Sequence, residues 1–239
     1  MKPFYIYHVD GKFNIDQPIE VKPQVSMIEG IAREPRTYIK KSDDSFLRDF
    51  SLLSVNHDLK ERQYGITTVH VNGEPKTVNF NDYLVPEKFN AFYSSESEIV
   101  IFQAAGATAK SAIKAINENT DKFELKEVPF NFSIANNYIT EYKGAWFQDI
   151  NANLSSIGMR GQDVQDDEYF EIMKQQGSFS NISFNFDYRH NKHQIMITKY
   201  SGVVLYNKYE NIEIELDIVA KVFQQLIKKV WESDAGVGY

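Results

Sequence analysis

Residues 182–231 (ISFNFDYRHNKHQIMITKYSGVVLYNKYENIEIELDIVAKVFQQLIKKVW) decide the fold. Apolar and polar side chains alternate over residues 182–188, which is the period of a half-buried strand. Residues 193–198 and 203–206 predict two further strands, joined by a tight turn at Ser201-Gly202. A helix is predicted next, because an apolar stripe recurs at spacings of three and four: Leu216, Val219, Phe223, Leu226, Ile227 and Val230.

The start of this helix has two interpretations. Apolar and acidic residues alternate from Ile212 to Leu216, which is a strand period, so the chain there is extended with Asp217 as helix N-cap, or it is already helical. In both cases a helix laid across a sheet closes one core. We therefore predict an α+β fold with mixed, mainly antiparallel sheets, helices packed on one face, and a long amphipathic C-terminal helix.

The first 88 residues are strand-rich with one helix. Asp10-Gly11 and Asn72-Gly73 are typical hairpin turns. The predicted hairpin strands are residues 4–9 and 12–15, then residues 66–71 and 76–80. A helix is predicted over 43–54, capped by Ser42, with a stripe of Phe46, Leu47, Phe50 and Leu53. Residues 57–63 finish that helix or link onward, and residues 81–88, with Pro86, form a turn-rich connection.

After residue 88 the pattern changes to alternating strands and helices. The predicted elements are strands 89–93, 98–103, 123–128 and 145–148, a helix with Ala109, Ala112, Ile113 and Ile116 inward, a glycine-bracketed loop over 155–161, and a helix over 164–176 with Phe170, Ile172 and Met173 inward and Gly177 as its stop. We predict an N-terminal subdomain (1–88) and an α+β C-terminal domain (89–239), packed as one unit.

Composition narrows the class of protein. The 239 residues are 42% hydrophobic and 14% aromatic, which supports a packed core. The formal net charge of −7 disfavours global binding to nucleic acid or anionic membranes, and the absence of cysteine excludes thiol chemistry. No apolar run is long enough to cross a membrane, and the N-terminus is too polar for a signal peptide, so we expect a cytoplasmic protein.

The junction between strand 98–103 and the next helix is the first candidate ligand site. Small residues after a strand allow backbone N–H groups at a helix N-terminus to approach an anion. Gly106, Thr108, Lys110 and Ser111 are the candidate ligand-binding residues there. One glycine matches neither the P-loop nor the dinucleotide fingerprint. The alternative is that Gly106 turns the chain and Thr108 caps the helix.

Arg160 is the second candidate, because an arginine between Gly158 and Gly161 can offer its fork to a phosphate. The acids that follow could hold magnesium or simply favour a helix start: Asp163, Asp166, Asp167, Glu168 and Glu171. Asp187, His190 and His193 have intervals suited to a metal on a helix, but they fall in a predicted turn. We therefore expect no metal and no cofactor, and catalytic residues stay unknown, since nuclease spacing and a nucleophile elbow are missing.

The layout resembles small accessory proteins of bacterial mobile elements, including RexA-type phage-exclusion and KwaB-type defence proteins. The resemblance lies in the 102–111 strand–glycine–helix junction and in the final strand–Ser201-Gly202–strand–helix, and it carries no site residue. We predict a non-catalytic interaction protein of a bacterium or its mobile elements, acting in phage–host conflict through protein contacts or self-association, and through nucleic acid at local patches. The alternative is a phosphate-ligand binder or phosphoryl-transfer enzyme.

Overall fold

The computed structural model describes residues 3–21, 26–28, 31–33, 36–47, 49–151 and 153–236. The fold is α+β with antiparallel sheet, about 49% strand and 24% helix, which confirms the predicted class. The chain divides into an N-terminal unit, residues 9–125, and a C-terminal unit, residues 1–8 with 126–239. The predicted division at residue 88 stays a prediction.

The described residues form strands and helices with the following bounds. The strands are β1 (Phe4–Gly11), β2 (Ile19–Val21), β3 (Ser26–Ile28), β4 (Ile31–Arg33), β5 (Thr37–Leu47), β6 (Phe50–Val71), β7 (Glu74–Ser94), β8 (Ile99–Gln103), β9 (Phe123–Glu127), β10 (Tyr142–Gln148), β11 (Ser156–Arg160), β12 (Ser178–Tyr188), β13 (Asn191–Thr198) and β14 (Gly202–Leu205). The helices are α1 (Gly106–Asn117), α2 (Phe132–Ala135), α3 (Glu168–Gln176), α4 (Ile212–Val222) and α5 (Lys228–Asp234), with a 3-10 turn at Val164–Asp166 and a π-helical turn at Phe223–Ile227.

In the N-terminal unit the strand order is β8-β7-β6-β5-β2, and α1 packs on β5 and β6. The predicted helix over 43–54 is wrong, because these residues belong to β5, β6 and the turn between them. Leu53 and Val55 are fully buried and alternate along β6, a strand period that the helical spacing hid. Residues 57–63 continue β6 and are not a helix end.

The Asn72-Gly73 hairpin is confirmed, with φ of 54° and 86° at its two turn residues. The 81–88 connection is wrong, because β7 runs straight through Pro86, which lies opposite Asp58. Proline is tolerated there because β8 pairs with β7 only from Asn90 onward, leaving an edge at Pro86 in the described structure. The Asp10-Gly11 hairpin is also wrong, since residues 12–15 form no strand.

In the C-terminal unit the strand order is β11-β10-β12-β13-β14-β1, and Phe4 lies opposite Val203. The three strands predicted between residues 182 and 206 are confirmed. The final helical segment of 23 residues starts at Ile212, and the Asn211 side chain accepts a hydrogen bond from the Ile214 amide at 3.0 Å. The extended interpretation with Asp217 as N-cap is therefore wrong. All six residues of the predicted stripe are buried.

The predicted loop over 155–161 is wrong, because residues 156–160 form β11 and pair with β10. Gly158 is needed there since a Cβ would lie 2.7 Å from the Trp146 ring that covers it. The predicted 164–176 helix is split into a 3-10 turn and α3. Phe170 points inward as predicted, whereas Ile172 is 40% exposed, so its inward assignment is wrong.

Candidate functional site

The predicted phosphate junction is the start of α1. Gly106 is the first helical residue, and Ala105 is an N-cap without a side-chain hydrogen bond, so Thr108 is not the cap. Thr108 instead lies inside the helix and is buried. Lys110 is exposed, and the Ser111 hydroxyl is hydrogen-bonded to His57 Nε2 at 2.9 Å. The junction brings these four residues together, but the two hydroxyl groups face the protein, and ligand binding there stays a prediction.

His57 is the centre of a buried network that sequence analysis missed. Its Nδ1 shares a hydrogen bond with Thr37 Oγ1 at 2.8 Å, and its Nε2 shares one with Ser111 Oγ. Burial lowers the pKa of His57, while the nearby Asp58 carboxylate acts in the opposite direction. The imidazole is therefore neutral near pH 7, and it links β5, β6 and α1.

The order Ser111, His57, Thr37 has the outline of a nucleophile, a base and an orienting group. In such an array the third group is an acid that stabilises the imidazolium formed when the base takes the proton. A threonine hydroxyl carries no charge, and the lowered pKa makes His57 a weak base. The network therefore fits a structural link between elements better than a catalytic set.

Arg160 lies in the C-terminal unit, at the end of β11, whereas the other four candidates lie in the N-terminal unit. Its guanidinium carbon stands 5.3 Å from the centre of the Trp146 ring. This is a cation–π contact on an exposed strand, not a fork held in a flexible loop. A ligand role for Arg160 stays a prediction.

The polar segment 187–193 joins β12 to β13 through a two-residue hairpin turn at Arg189-His190. Arg189 and His190 both have positive φ, of 48° and 65°. The Arg189 guanidinium donates to Asp217 Oδ2 at 2.9 Å, which ties the turn to α4. Among the residues that the structure describes, no three His, Asp or Glu side chains are grouped to hold a metal ion.

The main exposed feature of the N-terminal unit is the β6–β7 hairpin beyond the sheet. β5 pairs with β6 only up to His57 and β8 pairs with β7 only from Asn90, within the described ranges. Among the residues that the structure describes, residues 59–71 and 74–85, here called the arm, therefore pair only with each other. At about 3.3 Å per residue the arm is roughly 40 Å long. The tip of the arm at Asn72-Gly73 was predicted from the sequence, but the length of the arm was not.

The arm exposes apolar side chains. Tyr64 is 87% and Ile66 is 74% exposed. Ile66 lies opposite Asn79 on one face of the ribbon. The residues of that face are exposed from Ile66 to the tip of the arm. Three basic and three acidic residues cancel along the arm, whereas the whole chain carries −7. The opposite face is covered, since Val78 and Leu84 are only 7% and 6% exposed, so the open face with Ile66 is the one suited to a partner.

The two edges of the arm differ. Pro75 leaves β7 without one backbone donor, whereas β6 has no proline along the arm. A register shift between Arg62 and Gly65 interrupts β6, so its longest regular run within the arm is Gly65–Val71. That run is rich in β-branched residues, which favour strand pairing. The β6 edge is the better candidate for adding another strand.

Comparison with other proteins adds no family. No protein-family model matches the chain, and no curated protein matches it. Within the described residues, no helix has the length and apolar character needed to cross a membrane.

Proposed function

We propose that the chain is a non-catalytic interaction protein whose arm binds an extended strand of a partner protein along β6. The observation that supports the proposal is the arm itself, a ribbon that pairs with no third strand among the described residues and that exposes Tyr64 and Ile66. Strand addition supplies main-chain hydrogen bonds along the edge, and exposed side chains such as these supply selectivity.

The location and source of the protein belong to the same proposal. A cytoplasmic setting rests on the composition. A role in phage–host conflict rests on the resemblance in layout. The alternative is phosphate-ligand binding or phosphoryl transfer at the junction and Arg160. The variant Arg160→Ala tests it. This variant should lose ligand binding if the alternative holds, and should keep partner binding if the proposal holds.

Native mass spectrometry of protein purified from its host without nuclease treatment tests the arm. The test variant is Tyr64→Ser with Ile66→Lys. The matched control is Tyr169→Ser with Ile172→Lys, which makes the same two changes at residues of the C-terminal unit that are 60% and 40% exposed. We expect a protein-sized mass excess in the wild type and the control, and its loss in the arm variant.

Other outcomes would contradict the proposal. A clean multiple of the chain mass that only the arm variant loses identifies a second copy, and not another protein, as the occupant. A bare-chain mass in all three samples, or equal loss in the arm and control variants, overturns arm binding. An excess of nucleotide or oligonucleotide size favours the alternative.

A further inference from the structure

A cleft of about 610 Å³ lies in the C-terminal unit, and its lining residues all come after the arm in the sequence. Its walls are residues 138–141, the end of β12, the start of β13 and the C-terminal helical segment. The volume falls within the range of about 300–1,000 Å³ that small-molecule sites occupy. The cleft is therefore large enough to hold a ligand of metabolite size.

Two lysines give the cleft its positive groups. Lys192 and Lys229 both line it and are both exposed. In the described part of the chain neither ammonium group has an ion-pair or hydrogen-bond partner. An ammonium group without a protein partner in a concave site is a natural contact for a phosphate oxygen.

Two carboxylates also line the cleft, which limits the charge of the ligand. Asp187 lies directly across the ladder from Lys192, and Glu141 stands 3.7 Å from the Lys143 ammonium. A polyanion such as a nucleic acid strand would meet both carboxylates. A small ligand with one phosphate and neutral donor groups suits the balance better.

Aromatic and amide groups complete the lining. Tyr138 is 44% exposed and offers an aromatic surface to a planar ring, and Phe184 and Phe186, which are 4% and 9% exposed, also line the cleft. The Asn185 and Gln225 amides can donate and accept hydrogen bonds with a heterocycle.

The cleft is bordered by a free strand edge and by an irregular helical turn. β10 pairs with β12 only as far as Phe184, so residues 185–187 keep a free strand edge on that side of the described sheet. The π-helical turn Phe223–Ile227 contributes Gln225 and Leu226 to the lining of the cleft. Single π-helical turns are rare and occur often at functional sites.

We infer that this cleft is a binding site for a mononucleotide, with the phosphate on Lys192 and Lys229 and the base beside Tyr138. No arm residue is among the described residues that line the cleft, and the inference does not rest on the proposed function. Isothermal titration calorimetry of the purified full chain with AMP, GMP, CMP, UMP and inorganic phosphate, each alone, tests it.

The variants are Lys229→Met and Lys192→Met, and the control is Lys228→Met, an adjacent exposed lysine that faces Glu232 at 3.8 Å and lies outside the cleft. We expect saturable binding of at least one mononucleotide, weakened about 10-fold or more in either cleft variant, and unchanged in the control. Tyr64→Ser with Ile66→Lys must retain the binding.

Three results overturn the inference. The first is no saturable binding of any of the four mononucleotides. The second is an equal loss in Lys228→Met and Lys229→Met. The third is inorganic phosphate binding as tightly as every mononucleotide, because the aromatic wall then contributes nothing.

Discussion

His57 couples the stability of the N-terminal unit to pH. Burial lowers its pKa in the folded protein, whereas the unfolded chain binds a proton near the ordinary value of about 6.5. The stability that the neutral ring provides is complete above about pH 6.5 and is lost as the pH falls through the lower pKa of the folded state. We expect the free energy of unfolding, measured with urea at several pH values, to fall more steeply below pH 6.5 in the wild type than in His57→Gln. His70→Gln, at an exposed arm position, should keep the steep fall.

Alanine substitution at three glycines distinguishes the cost of a positive φ from the cost of a steric clash. Gly11 has φ of +104°, and a Cβ there would lie 2.6 Å from the Lys122 carbonyl oxygen. Gly73 has φ of +86° but open space, and Gly161 has open space without positive φ. We expect urea unfolding to show losses of about 2–5 kcal/mol for Gly11→Ala, about 1–2 for Gly73→Ala and under about 0.5 for Gly161→Ala. A Gly11→Ala loss no larger than that of Gly73→Ala would refute the steric part.

The Asn72-Gly73 turn could be predicted from the sequence, whereas the buried contacts of His57 could not. Asn72-Gly73 was predictable because its conformation depends on two adjacent residues. The His57 network was not, since Thr37 and Ser111 stand 20 and 54 positions away along the chain. Only the pairing of β5 with β6 and the packing of α1 bring them together.

The final helical segment is the element on which the C-terminal unit most depends. Phe223 is 2% exposed at the start of the π-helical turn, and the adjacent Gln224 is exposed. Losing a buried phenylalanine removes about 3–5 kcal/mol, and a buried charge adds to that, against a net stability of about 5–15 kcal/mol. We expect Phe223→Asp to abolish the cooperative melt followed by circular dichroism and Gln224→Asp to keep it. A Phe223→Asp melt like that of the wild type would count against this.

Among the predicted helices, the one with a long, regular apolar stripe was confirmed, and the one over 43–54 with a short stripe was not. The apolar stripe from Leu216 to Val230 specified a helix over several turns. The stripe from Phe46 to Leu53 was too short to separate helix from strand. Register shifts between Lys41 and Leu47 also break the alternation of β5 that would have identified it as a strand.

At the scale of the whole molecule, the C-terminal unit is discontinuous in sequence. Residues 4–5 of β1 pair with β14, so a fragment of residues 126–239 lacks the strand that covers β14. We expect this fragment to show no cooperative unfolding by circular dichroism. The control is the same fragment with residues 3–8 joined through a flexible linker, which should unfold cooperatively. Cooperative unfolding of the bare fragment would show that β1 is dispensable.

Neither candidate surface could be located from the sequence, for a topological reason. The arm depends on where β5 and β8 stop pairing, at His57 and Asn90, and no local pattern marks those points. The cleft combines residues 138–141, 184–192 and 225–229, which only the folded C-terminal unit brings together.

The pairing of Phe4 with Val203 also bears on synthesis of the protein. About 200 residues separate the two, and a ribosome that adds about 5–20 residues per second needs roughly 10–40 s to make them. During that time the apolar segment FYIY (residues 4–7) leaves the ribosome without its β14 partner. Newly made chains therefore expose an aggregation-prone strand before the C-terminal unit closes, which makes their yield sensitive to translation speed and to chaperones that bind apolar segments.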